Sequence, residues 1–317
     1  MSVPLRQIGR YELTERLGLS DTAEVYAARD IETGVMVAIK RALPHAWEAP
    51  EHRVRFEREI TRVMAQTHHG LVRGIEVVSG PSTADPCLVM HWVEGVTLRA
   101  LLDGLDVPPP PKAALVHLVA ALADTLTVLH TSAEGAIVHG DISAGNVVAH
   151  RDGTFTVLDL GSAAGEGEPS ADHGTPRYAP PERTPGAPLT TRGDIYSLGV
   201  LLWEVASGRR WPTEAPRHLP ESSPISGTDI GALISRCIAS DTQTRPMDAQ
   251  ALRALAAQER SEGDSAAWCQ WLATAVAHDG SVEEPPSAEQ GKRAWLGLTL
   301  GIGLTVWTAL WFIAQMV

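Results

Sequence analysis

Four separated segments of this chain carry residues whose types and order suit a single chemistry. The first is Val37-Ala38-Ile39-Lys40, an apolar run that ends in lysine. A lysine fixed at the end of a strand can neutralise phosphate oxygens, and it needs a carboxylate to hold it in place. Glu59, within Arg55-Phe56-Glu57-Arg58-Glu59-Ile60, is the natural partner. It lies three residues after Phe56 and beside Ile60, near the apolar stripe of a helix, whereas Glu57 falls on another face. The second segment is His139-Gly140-Asp141-Ile142-Ser143-Ala144-Gly145-Asn146, and the third is Asp159-Leu160-Gly161 after Thr156-Val157-Leu158. Asp141 is placed to accept or orient the proton of an attacking hydroxyl. Asn146 and Asp159 supply the oxygen ligands that magnesium prefers. The fourth runs from Gly174-Thr175-Pro176-Arg177-Tyr178 to Ala179-Pro180-Pro181-Glu182, ahead of Asp194-Ile195-Tyr196-Ser197-Leu198-Gly199. A held cation, a proton acceptor and two magnesium ligands are the parts that phosphoryl transfer from a nucleotide needs. That reaction is mostly positioning and charge neutralisation.

These residues need strands and helices to hold them. Apolar runs at 11–17, 23–28 and 35–40 predict strands, with turns at 18–21 and 32–34. The stretch 51–67 lacks Gly and Pro and has helical spacing at Val54, Phe56, Ile60, Val63 and Met64. Residues 87–93 form another short apolar run. The proline run 108–111 must be loop, and it opens a long helix over 113–131 that is apolar nearly all round and hence buried. Short strands and turns alternate over 136–162. The Gly-, Pro- and Glu-rich stretch 165–188 reads as a long exposed loop. Helices follow at 195–207, 229–239 and 249–258, with a short amphipathic one over 265–277. Strands first and helices later predict an α+β plan with two lobes.

The C-terminal region differs in character. Residues 279–291 are polar, acidic and contain Pro285-Pro286, which is linker composition. Residues 295–317 carry no charge, and 23 residues suffice for one helix across a bilayer. Trp295, Trp307 and Trp311 include candidates for interfacial anchors, and the Gly297/Gly301 step hints at helix pairing, hence at a homodimer. Lys292 and Arg293 just before the span keep the preceding domain in the cytoplasm. With nothing after Val317, such a span inserts only after synthesis. The N-terminus lacks a charged segment followed by an apolar core, so no signal peptide is expected.

Charge and composition limit the alternatives. With 26 Lys and Arg against 38 Asp and Glu, the formal charge is −12, and no basic run offers a footprint for nucleic acid. Three scattered cysteines form neither a CxxC pair nor a disulfide framework and fit a reducing cytosol. Twelve histidines show no metal-ligand spacing.

The four segments, in order and at this spacing, resemble the eukaryotic-type (Hanks-type) protein kinase family in its bacterial serine/threonine branch, over about residues 11–258. The resemblance implies a bilobal α+β fold, with an antiparallel β-rich N-lobe and a mainly helical C-lobe, plus the C-terminal transmembrane helix. The expected layout is a tail over 1–10, a kinase domain over 11–260 with lobes at about 11–93 and 94–260, a juxtamembrane linker over 261–294 and the span over 295–317. It implies ATP and Mg2+ as cofactors and an unidentified protein substrate. Lys40, Glu59 and Asp141 are the expected catalytic residues, and Asn146 and Asp159 the metal ligands. Leu17, Gly18, Ser20, Val25, Ala38, Lys40, Met90, His91 and Val93 are expected to hold the nucleotide, with Met90 as gatekeeper of a hinge in Cys87-Leu88-Val89-Met90-His91-Trp92-Val93-Glu94-Gly95. Glu182 and Arg245 look like the family's structural ion pair.

The sequence departs from the family at three places. The glycine-rich loop appears as Gly18, Ser20 and Ala23, followed by Val25, which predicts weaker or slower nucleotide handling. Gly140 stands where many members have an arginine that contacts a phosphate on the activation loop, so loop phosphorylation has less to act on. Ser143 replaces a lysine that contacts the transferred phosphate. These departures keep two alternatives open: a pseudokinase that serves as a membrane-tethered nucleotide-binding or scaffold module, and a small-molecule phosphotransferase.

Overall fold

The computed structural model describes residues 7–80, 85–104, 108–133, 135–169, 174–212, 225 and 227–278. They fall into two compact units. The chain passes from the first to the second between Val93 and Glu94, and residues 67–71 belong to the second.

The first unit is built on strands β1 (Gln7–Ile8), β2 (Tyr11–Leu19), β3 (Ala23–Asp30) and β4 (Met36–Ala42), helices α1 (Pro44–Glu48) and α2 (Pro50–Ala65), and strands β5 (Gly74–Ser79) and β6 (Pro86–His91). The strands form one antiparallel sheet in the order β1-β2-β3-β4-β6-β5. Side chains alternate across a strand, and β4 shows it: Val37 and Ile39 are buried, while Ala38 and Lys40, which alternate with them, are only partly covered. Val37 and Ile39 join Ile8, Tyr11, Ala28, Cys87 and Val89 in one apolar cluster. Residues 1–10 were expected to be a tail. Gln7–Ile8 instead pair with Glu12 and Tyr11, and Ile8 is 2% exposed. On α2 the inward row is Phe56, Glu59 and Val63, while Val54 and Met64, read as part of the apolar stripe, are exposed. The i, i+3 and i+7 spacing fits one helix face, and Val54 and Met64 fall off it.

The second unit holds β7 (Val96–Thr97), α3 (Leu98–Gly104), α4 (Lys112–His130), β8 (Ile137–Val138), β9 (Val147–Ala149), β10 (Phe155–Val157), β11 (Ala164–Gly165), α5 (Thr191–Ser207), α6 (Asp229–Cys237), α7 (Ala249–Ala257) and α8 (Asp264–His278). Strands β10, β9 and β7 pair in that order, and β11 pairs with β8. Helix α4 starts directly after Pro111 and buries Leu115, Leu118, Leu122, Leu126 and Leu129. It is the one helix among the described residues long and apolar enough to cross a membrane, but two thirds of it is buried in its own unit, so it is a core helix. Helix α5 begins four residues before the sequence predicts because the Thr190 hydroxyl accepts the Gly193 amide at 3.1 Å, an N-cap. Gly208, at φ +63°, ends it in the left-handed conformation that glycine adopts without strain.

The stretch 165–188 was expected to be an exposed loop. Its described residues are instead tied down. β11 pairs with β8, and Tyr178 is 3% exposed because its hydroxyl donates to the buried Glu204 of α5 and accepts from Arg99 of α3. Residues 261–278, expected to open the linker, contain α8. Its Trp268 is fully buried with its ring against Phe155 at 4.9 Å, and Trp271 Nε1 donates to the Pro108 carbonyl at 2.9 Å. A soluble piece should therefore end near residue 280; a cut at 260 would strip α8 from α4. The expected span over 295–317 lies outside the described residues.

Candidate active site

In the first unit, Lys40 on β4 meets Glu59 on α2 with Nζ to Oε1 at 2.6 Å. Both are largely covered, at 12% and 4% side-chain exposure, while Glu57 is exposed. Two charged groups this sheltered lose water, and their mutual attraction offsets that cost. Strand register sets what surrounds it. Val25 pairs with Lys40, Ala27 and Met90 both pair with Ala38, and Leu88 pairs with Lys40. Opposed residues share a face, so Val25, Ala38, Lys40 and the buried Met90 line one surface of the sheet. His91 pairs with Val37 on the other face and is exposed, and its amide donates to the Arg73 carbonyl at 3.0 Å. Burial and the charge of Arg73 lower its pKa. Leu17 is buried, and Val93 is partly covered.

The turn between β2 and β3 is braced by Ser20. Its amide donates to the Ala23 carbonyl at 2.8 Å, and its hydroxyl accepts the amides of Thr22 and Ala23 at 3.3 and 3.0 Å. Two amides at the tip of this turn are thus already engaged. Gly18 pairs with Val25 in open space.

In the second unit, Asp141 is aimed by two donors. Asn146 Nδ2 reaches its Oδ2 at 3.0 Å and its backbone carbonyl at 2.9 Å, and the Thr175 amide reaches Oδ1 at 2.7 Å. The Asn146 amide nitrogen is committed to Asp141, which leaves the side-chain oxygen as its acceptor. Leu158 N donates to the Asn146 carbonyl at 2.7 Å, which ties Asn146 to the approach to Asp159. Asp159 is the one non-glycine residue at positive φ among the described residues, at +57°, and its Oδ1 accepts the Gly161 amide at 2.9 Å. A non-glycine residue there is held at a cost of about 1–3 kcal/mol, which surrounding contacts must offset. Oxygen donors of this kind, an amide carbonyl and a carboxylate, fit magnesium. No cluster of three or more His, Cys, Asp or Glu suited to a metal occurs among the described residues.

Behind Asp141 sits a buried scaffold. The His139 ring accepts the Asp141 amide at 3.2 Å and meets the Leu158 carbonyl at 3.1 Å. The carboxylate of Asp194, at the start of α5, accepts the amides of His139 and Gly140 at 2.7 and 2.8 Å and pairs with His130 at 3.0 Å. Burial alone would push this carboxyl up, but the His130 hydrogen bond and the Gly140 amide hold it below its usual value. Glu182 and Arg245 form a two-pronged pair at 2.6 and 2.9 Å, and the Arg245 guanidinium lies over the Tyr196 ring.

The profile of the protein kinase domain matches residues 11–254. The chain belongs to the protein kinase family. Within it, the chain aligns with the bacterial serine/threonine branch. It is 30% identical over 276 residues to the serine/threonine-protein kinase PknB of Mycobacterium tuberculosis (strain ATCC 25177 / H37Ra), covering 80% of this chain and 43% of that protein. It is 32% identical over 271 residues to the serine/threonine-protein kinase pkn2 of Myxococcus xanthus, covering 77% of this chain and 32% of that protein. The chain therefore spans less than half the length of these relatives. The structure of the Cydia pomonella granulovirus kinase PK-1 shares the fold, with a TM-score of 0.62, 20% identity and coverage of 77% and 92%. The kinase profile ends at residue 254, before α8.

Two members of the site escaped the sequence reading. Asp194 was quoted as part of a motif but its grip on the amides of residues 139 and 140 has no local signal, since an Asp in a first helical turn is ordinary. Arg183, which donates to the Gly140 carbonyl, carries no signal in the sequence.

Proposed function

We propose that this chain is an ATP-dependent protein serine/threonine kinase that is held to a membrane by residues 295–317. The observation that carries the catalytic part is the doubly anchored Asp141, which accepts from Asn146 and from the backbone of Thr175. In this reading Asp141 orients the acceptor hydroxyl and takes its proton. Asn146 and Asp159 hold Mg2+, which, when bound, neutralises the charge that develops on the phosphates. Lys40, kept in place by Glu59, neutralises phosphate oxygens. Leu17, Val25, Ala38 and Met90 contribute apolar contact to the adenine, with Gly18, Ser20, His91 and Val93 contributing backbone. The test is transfer from γ-labelled ATP to proteins by residues 1–280, with Mg-ATP also expected to raise the melting temperature. No transfer and no shift at millimolar Mg-ATP would sink the reading. Label on a metabolite and on no protein would select a small-molecule phosphotransferase.

The Ser20 brace favours a second reading, a pseudokinase scaffold, because it occupies the amide of Ala23. One double variant tests whether this brace limits nucleotide binding. Ser20→Gly with Ala23→Gly removes the hydroxyl that competes for these amides, and one such hydrogen bond is worth about 1 kcal/mol, or about fivefold in affinity. The variant is expected to bind Mg-ATP about fivefold more tightly, seen as a larger melting shift at fixed ligand. Unchanged binding would show that the turn is not what limits the nucleotide.

Anchoring rests on the uncharged stretch 295–317 and on Lys292 and Arg293 before it. The full chain is expected in the membrane fraction and a chain lacking 292–317 in the soluble fraction, with transfer activity retained. A full chain that stays soluble would overturn the anchor.

A further inference from the structure

Asp141 and Thr175 meet through one hydrogen bond, and each follows a glycine in left-handed or near-left-handed backbone, Gly140 at φ +77° and Gly174 at φ +156°. One side chain reaches both glycines. Arg183 Nη1 donates to the Gly140 carbonyl. A Cβ added at Gly174 would stand 3.0 Å from Arg183 Nη1 and 3.2 Å from its Cζ and Nη2, so the bare backbone of Gly174 lies against the guanidinium. Arg183 thus touches the residue before Asp141 and the residue before Thr175.

Both ends of this contact are fixed from elsewhere. Gly140 N is held by the buried Asp194, and Arg183 follows Glu182, which the Arg245 guanidinium grips with two bonds. The Arg183 amide also donates to the Pro180 carbonyl at 2.9 Å. No side chain of residue 140 can enter this junction: a Cβ there would meet the Ser162 carbonyl at 2.8 Å, and its φ disfavours any L residue. A cation can therefore reach the junction only from another segment, and Arg183 does.

We propose that Arg183 is a positioning residue that clasps Gly140 to Gly174 and so sets the Thr175 segment against Asp141, with no phosphate on that segment required. The inference rests on the reading of Asp141 as the group that handles the acceptor proton. A planar guanidinium can meet a carbonyl and lie along a backbone at once, which a lysine ammonium cannot.

The test uses the full chain and the variants Arg183→Ala and Arg183→Lys. Arg183→Ala is expected to lower kcat by about 100-fold, the scale of a small misplacement near the chemistry, while KM for ATP and the Mg-ATP melting shift stay near the parent's. Guanidinium ion added at non-denaturing concentration should restore part of that loss, and Arg183→Lys should recover less than the added ion. A kcat within twofold of the parent's, or a loss that guanidinium leaves untouched, would overturn the proposal. A parent that transfers no phosphate would instead count against the kinase reading. The clasp is then still tested by hydrogen exchange: the Thr175 amide should exchange at least about tenfold faster in Arg183→Ala than in the parent. Equal exchange would refute the clasp whatever the activity.

Discussion

Asp141→Asn is expected to lower phosphate transfer to protein by about 10²–10⁴-fold, the usual contribution of a positioned acid–base group. The change is nearly isosteric, and asparagine keeps an oxygen to accept the Thr175 amide that now reaches Oδ1 at 2.7 Å. It loses the second acceptor that faces Asn146 Nδ2 at 3.0 Å, a loss of about 1 kcal/mol in stability. The melting temperature should therefore move by only a few degrees, on the order of 2–4 °C per kcal/mol. The effect should fall on kcat, since Lys40, Glu59 and the apolar face of the first unit are untouched, and the Mg-ATP melting shift should persist. Initial rates with γ-labelled ATP against protein acceptor decide the matter. A variant as fast as the parent would remove Asp141 from the chemistry, whatever the family resemblance.

How far the site could be read from residues alone depended on the sequence distance between partners. Lys40 and Glu59 are 19 positions apart, and both sit in strongly periodic elements. Lys40 closes an apolar strand and Glu59 lies on the helical row through Phe56, so their pairing was legible. Asp141, Asn146 and Asp159 lie within one short run of strands and turns, so their order was readable as a set. The Ser20 brace was not legible, because a serine in a turn leaves open whether its hydroxyl faces solvent or closes on its own backbone. Arg183 reaches back 43 positions to Gly140, and Tyr178 connects with Arg99, 79 positions away. Such contacts are settled by packing of α3, α5 and the segment between them, and no local pattern encodes them. Helix α8 was seen as a helix but not as a docked one. What docks it is Trp268 against Phe155 and a bond from Trp271 to a proline carbonyl 163 residues earlier.

Asp194→Asn is the variant expected to damage the fold most. The Asp194 carboxylate is 1% exposed and faces three donors: the amides of His139 and Gly140 and the His130 ring. His130 Nδ1 accepts the Ala249 amide at 3.0 Å, so its Nε2 carries the proton that points at Asp194. Asparagine offers one oxygen to these donors and turns an NH2 group toward at least one of them. A buried donor without a partner costs about 1–3 kcal/mol. A drop of about 3 kcal/mol, or about 10 °C in melting temperature, is the expected result at neutral pH. The pH dependence has a definite sign. The folded pKa of Asp194 is lowered, so its contribution is complete above the unfolded value, about 3.9, and is lost as pH falls through the lower folded value. The gap between parent and variant should hold from neutral pH down to about pH 4 and narrow below it. Activity should fall with stability, because the same carboxylate fixes the backbone immediately before Asp141. Melting curves of both proteins across acid pH are the check. A variant as stable as the parent at pH 7 would mean that Asp194 does not hold the catalytic loop.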